Sequence, residues 1–262
     1  MNQMPTTRAL FGYDVIGSSS ADDDLLDEVR ELATNFVHEA LGHVGIDTQG
    51  RVNYSPTGDG SLAVYPESDL PALIDAAYFL QGKLYLHNRT HRPAIKLRLS
   101  VHTAPIQVTQ DDNFQRPTIE LARLLDAAAF KQIVLRMARY RPVTVGLVVS
   151  DQAYRVAVKG QHTQRLLLHD FGEVEVANKE FSERCWVWAP GLDAERIREL
   201  SQQDQAADRD EQTPSAEPIT SSAEQSASGV TTTVNGNMRG NNFIGPNSGT
   251  ITAHYQQPGM HQ

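Results

Sequence analysis

The chain has 262 residues, of which 40% are hydrophobic, and this is enough for one sizeable domain with additional segments. Its formal net charge of −9 argues against an extended nucleic-acid-binding surface. The single cysteine, Cys185, excludes a disulfide framework, and no apolar run approaches the length of a membrane span. We therefore expect a cytoplasmic protein.

The first predicted elements place two carboxylates at strand ends. The first strand is apolar, carries Asp14 and breaks at Gly17, and an amphipathic helix follows it. Two short extended runs on either side of Thr57-Gly-Asp59-Gly predict a hairpin, because glycine tolerates the positive φ of tight turns. Paired carboxylates in such places suit a pair of Mg²⁺ ions that bind a triphosphate. The alternative is that both are ordinary turn residues.

The following elements predict a mixed sheet. A second helix opens near Asp69, and a strictly alternating run then predicts a half-buried strand over 95–102 with a shorter partner at 106–109. The later elements are helices at 118–126, 127–140 and from 151, and strands at 143–150, 166–169, 174–176 and 185–188. This order predicts an α+β fold, a ferredoxin-like βαββαβ core with additional strands and with helices on one face.

The last third of the chain has a different composition. Residues 190–228 are mostly Gln, Ser, Ala, Asp, Glu and Pro, which bury too little apolar surface to offset the entropy of ordering, so we expect a disordered linker. The composition changes again after Gly229, where Gly, Asn and Thr alternate with spaced Val, Phe and Ile.

Five short motifs follow one another along the first predicted domain. They are Asp14-Val-Ile-Gly-Ser, Thr57-Gly-Asp-Gly, Arg98-Leu-Ser-Val-His-Thr, Ala122-Arg-Leu-Leu-Asp-Ala-Ala and Val149-Ser-Asp-Gln-Ala-Tyr. Together they resemble the class III nucleotidyl cyclases, that is, the adenylate/guanylate cyclase homology domain, over about residues 8–189. The first motif, Asp-Val-x-Gly-Ser, resembles the start of the cyclase domain in a bacterial group that is widespread in actinomycetes. That group is akin to the pyrimidine cyclases of antiphage systems.

The resemblance implies a reaction and the residues that perform it. Asp14 and Asp59, with the backbone carbonyl of Val15, would bind two Mg²⁺ or Mn²⁺ ions, and Arg123 would stabilise the transition state. The ribose 3′-oxygen of a nucleoside triphosphate would attack the α-phosphorus in line and expel pyrophosphate. In this family the site lies between two subunits, so the resemblance also implies a homodimer in which Arg123 serves the partner's metals. Alternatively, Arg123 forms an ordinary surface ion pair.

Several positions depart from the family pattern. Ile119 stands where the family has an asparagine, and Ala104 stands where it has a glycine. Ser55 replaces the base-reading lysine and Asp112 falls at the second base-reading position, so these two are the candidate substrate-binding residues. Three interpretations stay open: an active cyclase, a degenerate nucleotide-sensing domain, and an assembly adaptor with an inactive cyclase fold.

The segment 229–256 resembles the bacterial amyloid-signalling motifs, which are relatives of the RIP homotypic interaction motif. Its β-branched residues favour extended chain, and its asparagines can form ladders between stacked copies. The candidate motif residues are Asn235, Gly236, Asn237, Gly240, Ile244, Gly245, Gly249 and Ile251. The resemblance implies that this segment recruits an effector protein, and the alternative is low-complexity sequence without a function.

Overall fold

The computed structural model describes residues 4–17, 23–107, 116–140, 143–178 and 181–211. All of them belong to the first of two compact units, Met1–Pro214, and the second unit, Ser215–Gln262, lies outside the described residues. The predictions for Asp112 and for the motif at 229–256 therefore concern residues that are not described.

Within the described residues, seven strands form one sheet. They are β1 (Thr6–Val15), β2 (Asn53–Thr57), β3 (Gly60–Pro66), β4 (Leu97–Ile106), β5 (Val145–Ser150), β6 (Gly172–Asn178) and β7 (Phe181–Trp188). Their order across the sheet is β2-β3-β1-β4-β5-β7-β6, with β4 and β5 parallel and the other neighbours antiparallel. The predicted α+β fold with strands added to a ferredoxin-like core is confirmed.

The helices lie on both faces of this sheet. They are α1 (Asp23–His43), α2 (Leu70–Thr90), α3 (Arg116–Leu125), α4 (Ala128–Tyr140), α5 (Asp151–Ala153) and α6 (Ala194–Glu211), and a π-helical turn, Tyr154–Lys159, continues α5. None of these described helices combines the length and the apolar character that crossing a bilayer requires.

The alternation along β1 shows how the two faces are divided. Ala9 and Phe11 belong to the core that α1 and α2 cover, whereas Leu10, which points the other way, packs with Leu121 of α3. The expectation that the helices share one face is therefore wrong. It failed because the apolar residues of α3, among them Leu124, need a sheet surface of their own to be buried.

Two of the predicted strands are also wrong. β4 runs on to Ile106, so 106–109 does not begin a separate partner strand. β4 is buried on both faces, because α3 covers its polar residues Ser100 and His102. Residues 166–169 do not form a strand either, because the amide of Leu167 donates to the Asp170 carboxylate at 2.8 Å and starts a 3₁₀ turn, Leu168–Asp170.

The linker predicted for 190–228 begins instead with the helix α6. Ile197 and Leu200 are buried against β6 and α4, and this pair gives an otherwise polar helix one apolar stripe. Gly172 of β6 allows the close approach, because a Cβ at that position would overlap the side chain of Ile197. The rest of the predicted linker, 212–228, lies outside the described residues.

Candidate active site

The candidate site lies on a single row that crosses four strands. The Cα partners in this row are Gly60, Asp14, Arg98 and Gly146, from β3, β1, β4 and β5 in that order. Residues that face each other across neighbouring strands point to the same side of a sheet. The side chains of Asp14 and Arg98 therefore share the face that α3 and α4 cover.

The hairpin between β2 and β3 brings Asp59 to this row. Its next residue, Gly60, is the direct partner of Asp14, and a Cβ at Gly60 would overlap the backbone carbonyl oxygen of Tyr13. Only glycine allows the two backbones to come so close at this point. The structure thus brings together Asp14 and Asp59, the two carboxylates that the sequence selected as metal ligands.

Arg98 is the closest described partner of Asp14. Its Nε donates to Asp14 Oδ1 at 2.8 Å and its Nη2 donates to Asp14 Oδ2 at 2.6 Å, and both side chains are only 15% exposed. A bidentate pair of this kind is one of the stronger charge-assisted interactions in proteins. Sequence reasoning quoted Arg98 within a motif but gave it no role. The alternation of β4 was the available signal, because pairing with β1 places Arg98 opposite Asp14.

The charges around Asp14 act in opposite directions on its pKa. Burial raises the pKa of this carboxyl above its ordinary value, the hydrogen bonds and charge of Arg98 lower it, and the charge of Asp59 raises it further. Lys131, in the first turn of α4, lowers it. The electrostatic environment therefore contains two carboxylates and two cations, from four different parts of the chain.

Gly146, at the other end of the row, explains why α4 lies so close to the sheet. A Cβ at Gly146 would overlap Val134 and touch the ring of Phe130, both in α4. Lys131 follows Phe130 directly and forms an ion pair with Asp126, which lies between α3 and α4. Nothing in the sequence alone connected Lys131 with Asp14.

The structure also places Val15, Ser55 and Arg123, the other predicted site residues that it describes. Val15 has its side chain in the opposite core, so only its backbone is available to a ligand. Ser55 is the partner of Leu62, which in turn is the partner of Gly12, so it shares the face of Asp14 at two strands' distance. Arg123 is partly buried in the last turn of α3, a helix of this face, and Ile119, one turn earlier, is 41% exposed.

A polar cluster that joins the buried His102 to the exposed Arg116 through Glu120 lies between β4 and α3. His102 Nε2 is 3.5 Å from Glu120 Oε2, and Arg116 Nε donates to Glu120 Oε1 at 2.9 Å. Neither ring nitrogen of His102 nor the hydroxyl of Ser100 has a hydrogen-bond partner among the residues that the structure describes. Burial lowers the pKa of His102, although the Glu120 carboxylate opposes this shift. The cluster connects β4 with the helix that carries Arg123.

The donors at Asp14 fit a magnesium-type ion better than zinc. Two carboxylates and a nearby backbone carbonyl are hard oxygen ligands, and Mg²⁺ is commonly held by one or two carboxylates with waters and substrate phosphates completing its shell. Within the described ranges, no group of three or more His, Cys, Asp or Glu side chains is arranged to hold a metal ion. The residues therefore fit ions that arrive together with a phosphate ligand.

Comparison with known proteins gives matches only at the level of structure. No family model matches the chain, and no curated protein sequence matches it. An adenylate/guanylate cyclase/hydrolase from Silicibacter pomeroyi superposes with a TM-score of 0.50 at 20% identity, covering 71% of this chain and 98% of that protein. A bacterial light-regulated adenylyl cyclase superposes with a TM-score of 0.51 at 11% identity, covering 77% of this chain and 58% of that protein. The resemblance found in the motifs is thus confirmed for the fold, and this chain has the fold of the adenylate/guanylate cyclase domains.

Proposed function

We propose that the protein is a nucleotidyl cyclase-like signalling protein that converts a nucleoside triphosphate into a cyclic nucleotide and pyrophosphate. The observation that carries this proposal is the pairing of Asp14 with the hairpin that presents Asp59, within a cyclase fold. This pairing joins two carboxylates at one end of β1 and the β2–β3 hairpin, where two Mg²⁺ or Mn²⁺ ions with a bound triphosphate would have oxygen ligands.

The residues of the site divide the chemistry between them. Bound metal would lower the pKa of the ribose 3′-hydroxyl and neutralise charge on the phosphates. Asp14, Asp59 and the Val15 carbonyl would hold the ions, and the fixed strand backbone orients these ligands. The 3′-hydroxyl would lose its proton to water, its oxygen would attack the α-phosphorus, and the bond from that phosphorus to the bridging oxygen would break so that pyrophosphate leaves. Arg123 stabilises charge on the phosphoryl oxygens from a partner subunit.

Arg98 acquires a role from its contact with Asp14. Its fork donates one hydrogen bond to each oxygen of that carboxylate, so the guanidinium competes with a metal ion for Asp14. A phosphate is the replacement partner whose geometry matches the same fork. We expect Arg98 to move from the carboxylate to the triphosphate when the substrate binds.

Ile119 favours a second candidate function, a degenerate nucleotide sensor. Its exposed apolar side chain cannot donate to a ribose or a phosphate, and the loss of one such donor costs orders of magnitude in rate. In this alternative the domain binds the nucleotide without turnover and recruits an effector through the motif at 229–256. Both functions belong to signalling, and the Asp-Val-x-Gly-Ser motif suggests antiphage defence as the setting.

Turnover can be tested directly. The purified full chain is incubated with each of the four ribonucleoside triphosphates and Mn²⁺, and cyclic products are sought by mass spectrometry. Product that disappears in both Asp14→Asn and Asp59→Asn, but not in Asp47→Asn, which changes an exposed loop carboxylate, supports the cyclase. Metal-dependent nucleotide binding without product supports the sensor, and the absence of both binding and product would refute both functions.

The self-assembly of the C-terminal motif has its own test. A peptide of residues 229–255 is expected to form fibrils with the ~4.7 Å repeat of stacked strands, as seen by fibre diffraction. Asn237→Asp and Ile244→Asp each add a charge that repeats in every layer, so both should prevent assembly. If all three peptides assemble equally well, or if none assembles, the motif does not work by self-templating.

A further inference from the structure

Lys131 is held beside the candidate site by the packing of α4. In the register row, Gly146 is the partner of Arg98, and Arg98 is the partner of Asp14. Because Gly146 has no side chain, Phe130 and Val134 of α4 settle directly onto this row. Lys131, which follows Phe130, thus lies in the first turn of a helix that packs over this row.

The ion pair that the structure shows for Lys131 is weak. Its ammonium forms an ion pair with Asp126, whose side chain is 71% exposed, while that of Lys131 is 34% exposed. Pairs that are open to water contribute little free energy, because solvent screens both charges. The pair can therefore exchange for a more highly charged partner at small cost. The charge of Lys131 already acts on Asp14, because it lowers the pKa of that carboxyl.

We propose that Lys131 is a further triphosphate-binding residue of this site, which donates to the terminal phosphates from the same protomer as Asp14 and Asp59. The inference rests on the proposed function, since it assumes that a triphosphate binds at this row. Arg98 and Lys131 are two cations close enough to act on Asp14, and a triphosphate that contacts both would neutralise them. The three donors of a lysine suit a phosphate group that has no fixed orientation, whereas the fork of Arg98 suits one that is held in a single pose. Asp126 keeps Lys131 paired until the substrate takes its place.

The chain offers a matched control for this lysine. Lys83 in α2 has the same charge, is 36% exposed and pairs with the exposed carboxylate of Glu39 at 2.7 Å. It belongs to the helix layer on the opposite face of the sheet. Lys83→Gln therefore removes the same charge and the same kind of ion pair as Lys131→Gln, but away from the site.

The experiment is calorimetric titration of the full chain with inorganic tripolyphosphate in the presence of Mn²⁺. Lys131→Gln should weaken binding roughly tenfold, as expected for the loss of one charge-assisted hydrogen bond. Lys83→Gln should bind like the wild type. Asp126→Asn should bind severalfold more tightly, because it frees Lys131. Affinity for Mn²⁺ alone should not fall in Lys131→Gln, a result that damage to the fold would not give.

The outcomes separate this inference from the proposed function. If the wild type binds tripolyphosphate and Lys131→Gln binds it equally well, Lys131 does not bind the phosphates, and the proposed function is unaffected. If the wild type binds no tripolyphosphate, the inference about Lys131 is wrong, and the turnover test decides the proposed function. If Lys131→Gln fails to fold, Asp126→Asn decides, because unchanged or weaker binding in that variant contradicts the exchange of partners.

Discussion

Asp75 is a buried carboxylate that is used for structure and not for chemistry. It lies in α2, is 6% exposed and accepts three backbone N–H bonds, from Gln164 at 2.7 Å, Arg165 at 2.9 Å and Leu166 at 3.1 Å. These bonds fix the loop between the π-helical turn and β6 onto the helix layer. Without the carboxylate, one buried donor, the Leu166 N–H, and two partly buried donors would lose their acceptor.

The first prediction concerns this loop. Asp75→Ala should lower the free energy of unfolding by about 2–4 kcal/mol, since the buried Leu166 N–H then keeps an uncompensated desolvation cost and two partly buried N–H groups lose a charged acceptor. Urea denaturation monitored by tryptophan fluorescence measures this value. Asp47→Ala removes an exposed carboxylate that accepts a single N–H bond, from Gln49, and should change stability by less than about 1 kcal/mol. Similar losses in the two variants would mean that the loop does not depend on Asp75.

His102 provides a prediction about pH. Burial holds its pKa in the folded state below the ordinary value of about 6.5. The unfolded chain therefore binds the proton more readily, so this residue lowers stability as the pH falls below about 6.5, by at most about 1.4 kcal/mol per pH unit. His102→Gln should remove that dependence. The raised pKa values of Asp14 and Glu183 act in the opposite sense, because the folded state takes up their protons first.

The measurement is the difference in unfolding free energy between wild type and His102→Gln, taken from pH 7.5 to pH 5. This difference cancels the contributions of the carboxyl groups. The stability of the wild type should decrease relative to that of the variant over this interval. A difference that stays constant with pH would show that His102 is protonated to the same extent in the folded and unfolded chains.

At the scale of residues, the sequence selected Asp14 and Asp59, which the structure brings to one row, but it did not connect Arg98 or Lys131 with them. Asp14 and Asp59 were found because each follows a strand or lies in a glycine turn, which are local patterns. Arg98 depends on the pairing of β1 with β4, which are more than 80 residues apart, and Lys131 depends on a helix that settles over Gly146. The local alternation of β4 gives the side of the strand on which Arg98 lies, but neither contact can be found without knowing which elements pair.

The helix α6 is the element that composition described least well. A window rich in Gln, Asp and Glu predicts disorder on average, but Ile197 and Leu200 fall one turn apart and bury completely or nearly so. Two apolar residues are enough to stabilise this helix, because β6 and α4 form a surface against which they pack. Tertiary contacts of this kind override a weak local preference.

The contribution of α6 can be measured with a single truncation. Ile197→Ala should lower the free energy of unfolding by about 2–5 kcal/mol, which is typical for a fully buried isoleucine. Arg198→Ala, on the exposed side of the same helix, should cost less than about 0.5 kcal/mol. Thermal unfolding followed by circular dichroism gives both values. If Ile197→Ala is no more harmful than Arg198→Ala, α6 does not stabilise the sheet.

Two errors at the scale of elements, the half-buried β4 and the single helix face, have one cause. Alternation of residue type predicted that β4 is half-buried, and it is buried because α3 lies over its polar side. The prediction that all helices lie on one face failed for the same reason. The amphipathic pattern of α3 and α4 predicts that each has a buried stripe, but it does not show which surface buries that stripe. The long helices α1 and α2 were predicted correctly, because their length and helical period are sufficient to identify a helix.

At the scale of the whole molecule, the proposed site requires two copies of the chain. Asp14 and Asp59 would come from one protomer and Arg123 from the other, so each copy would contribute half of each of two equivalent sites. A dimer of this kind predicts complementation between two inactive variants.

Asp14→Asn and Arg123→Ala should each be inactive alone, and a mixture of the two should recover part of the wild-type activity. The mixed dimer contains one site that has both intact carboxylates and an intact arginine. Formation of cyclic nucleotide in the mixture measures the recovery, and a mixture of Asp14→Asn with Asp59→Asn is the control, because both lesions lie in the same half-site. A mixture that remains inactive would place Arg123 in the same half-site as the carboxylates, or outside the site.

The central position of β1 also has a consequence for synthesis on the ribosome. β1 lies between β3 and β4, so its first edge can pair once residue 66 has emerged, whereas its second edge stays open until residue 106. At 5–20 residues per second, the intervening chain of about 40 residues takes roughly 2–8 s to translate. For that time the nascent chain presents an apolar strand edge to which neighbouring chains on the same message can pair. A chaperone that covers this edge during those seconds should therefore raise the yield of protein more than one that acts after release.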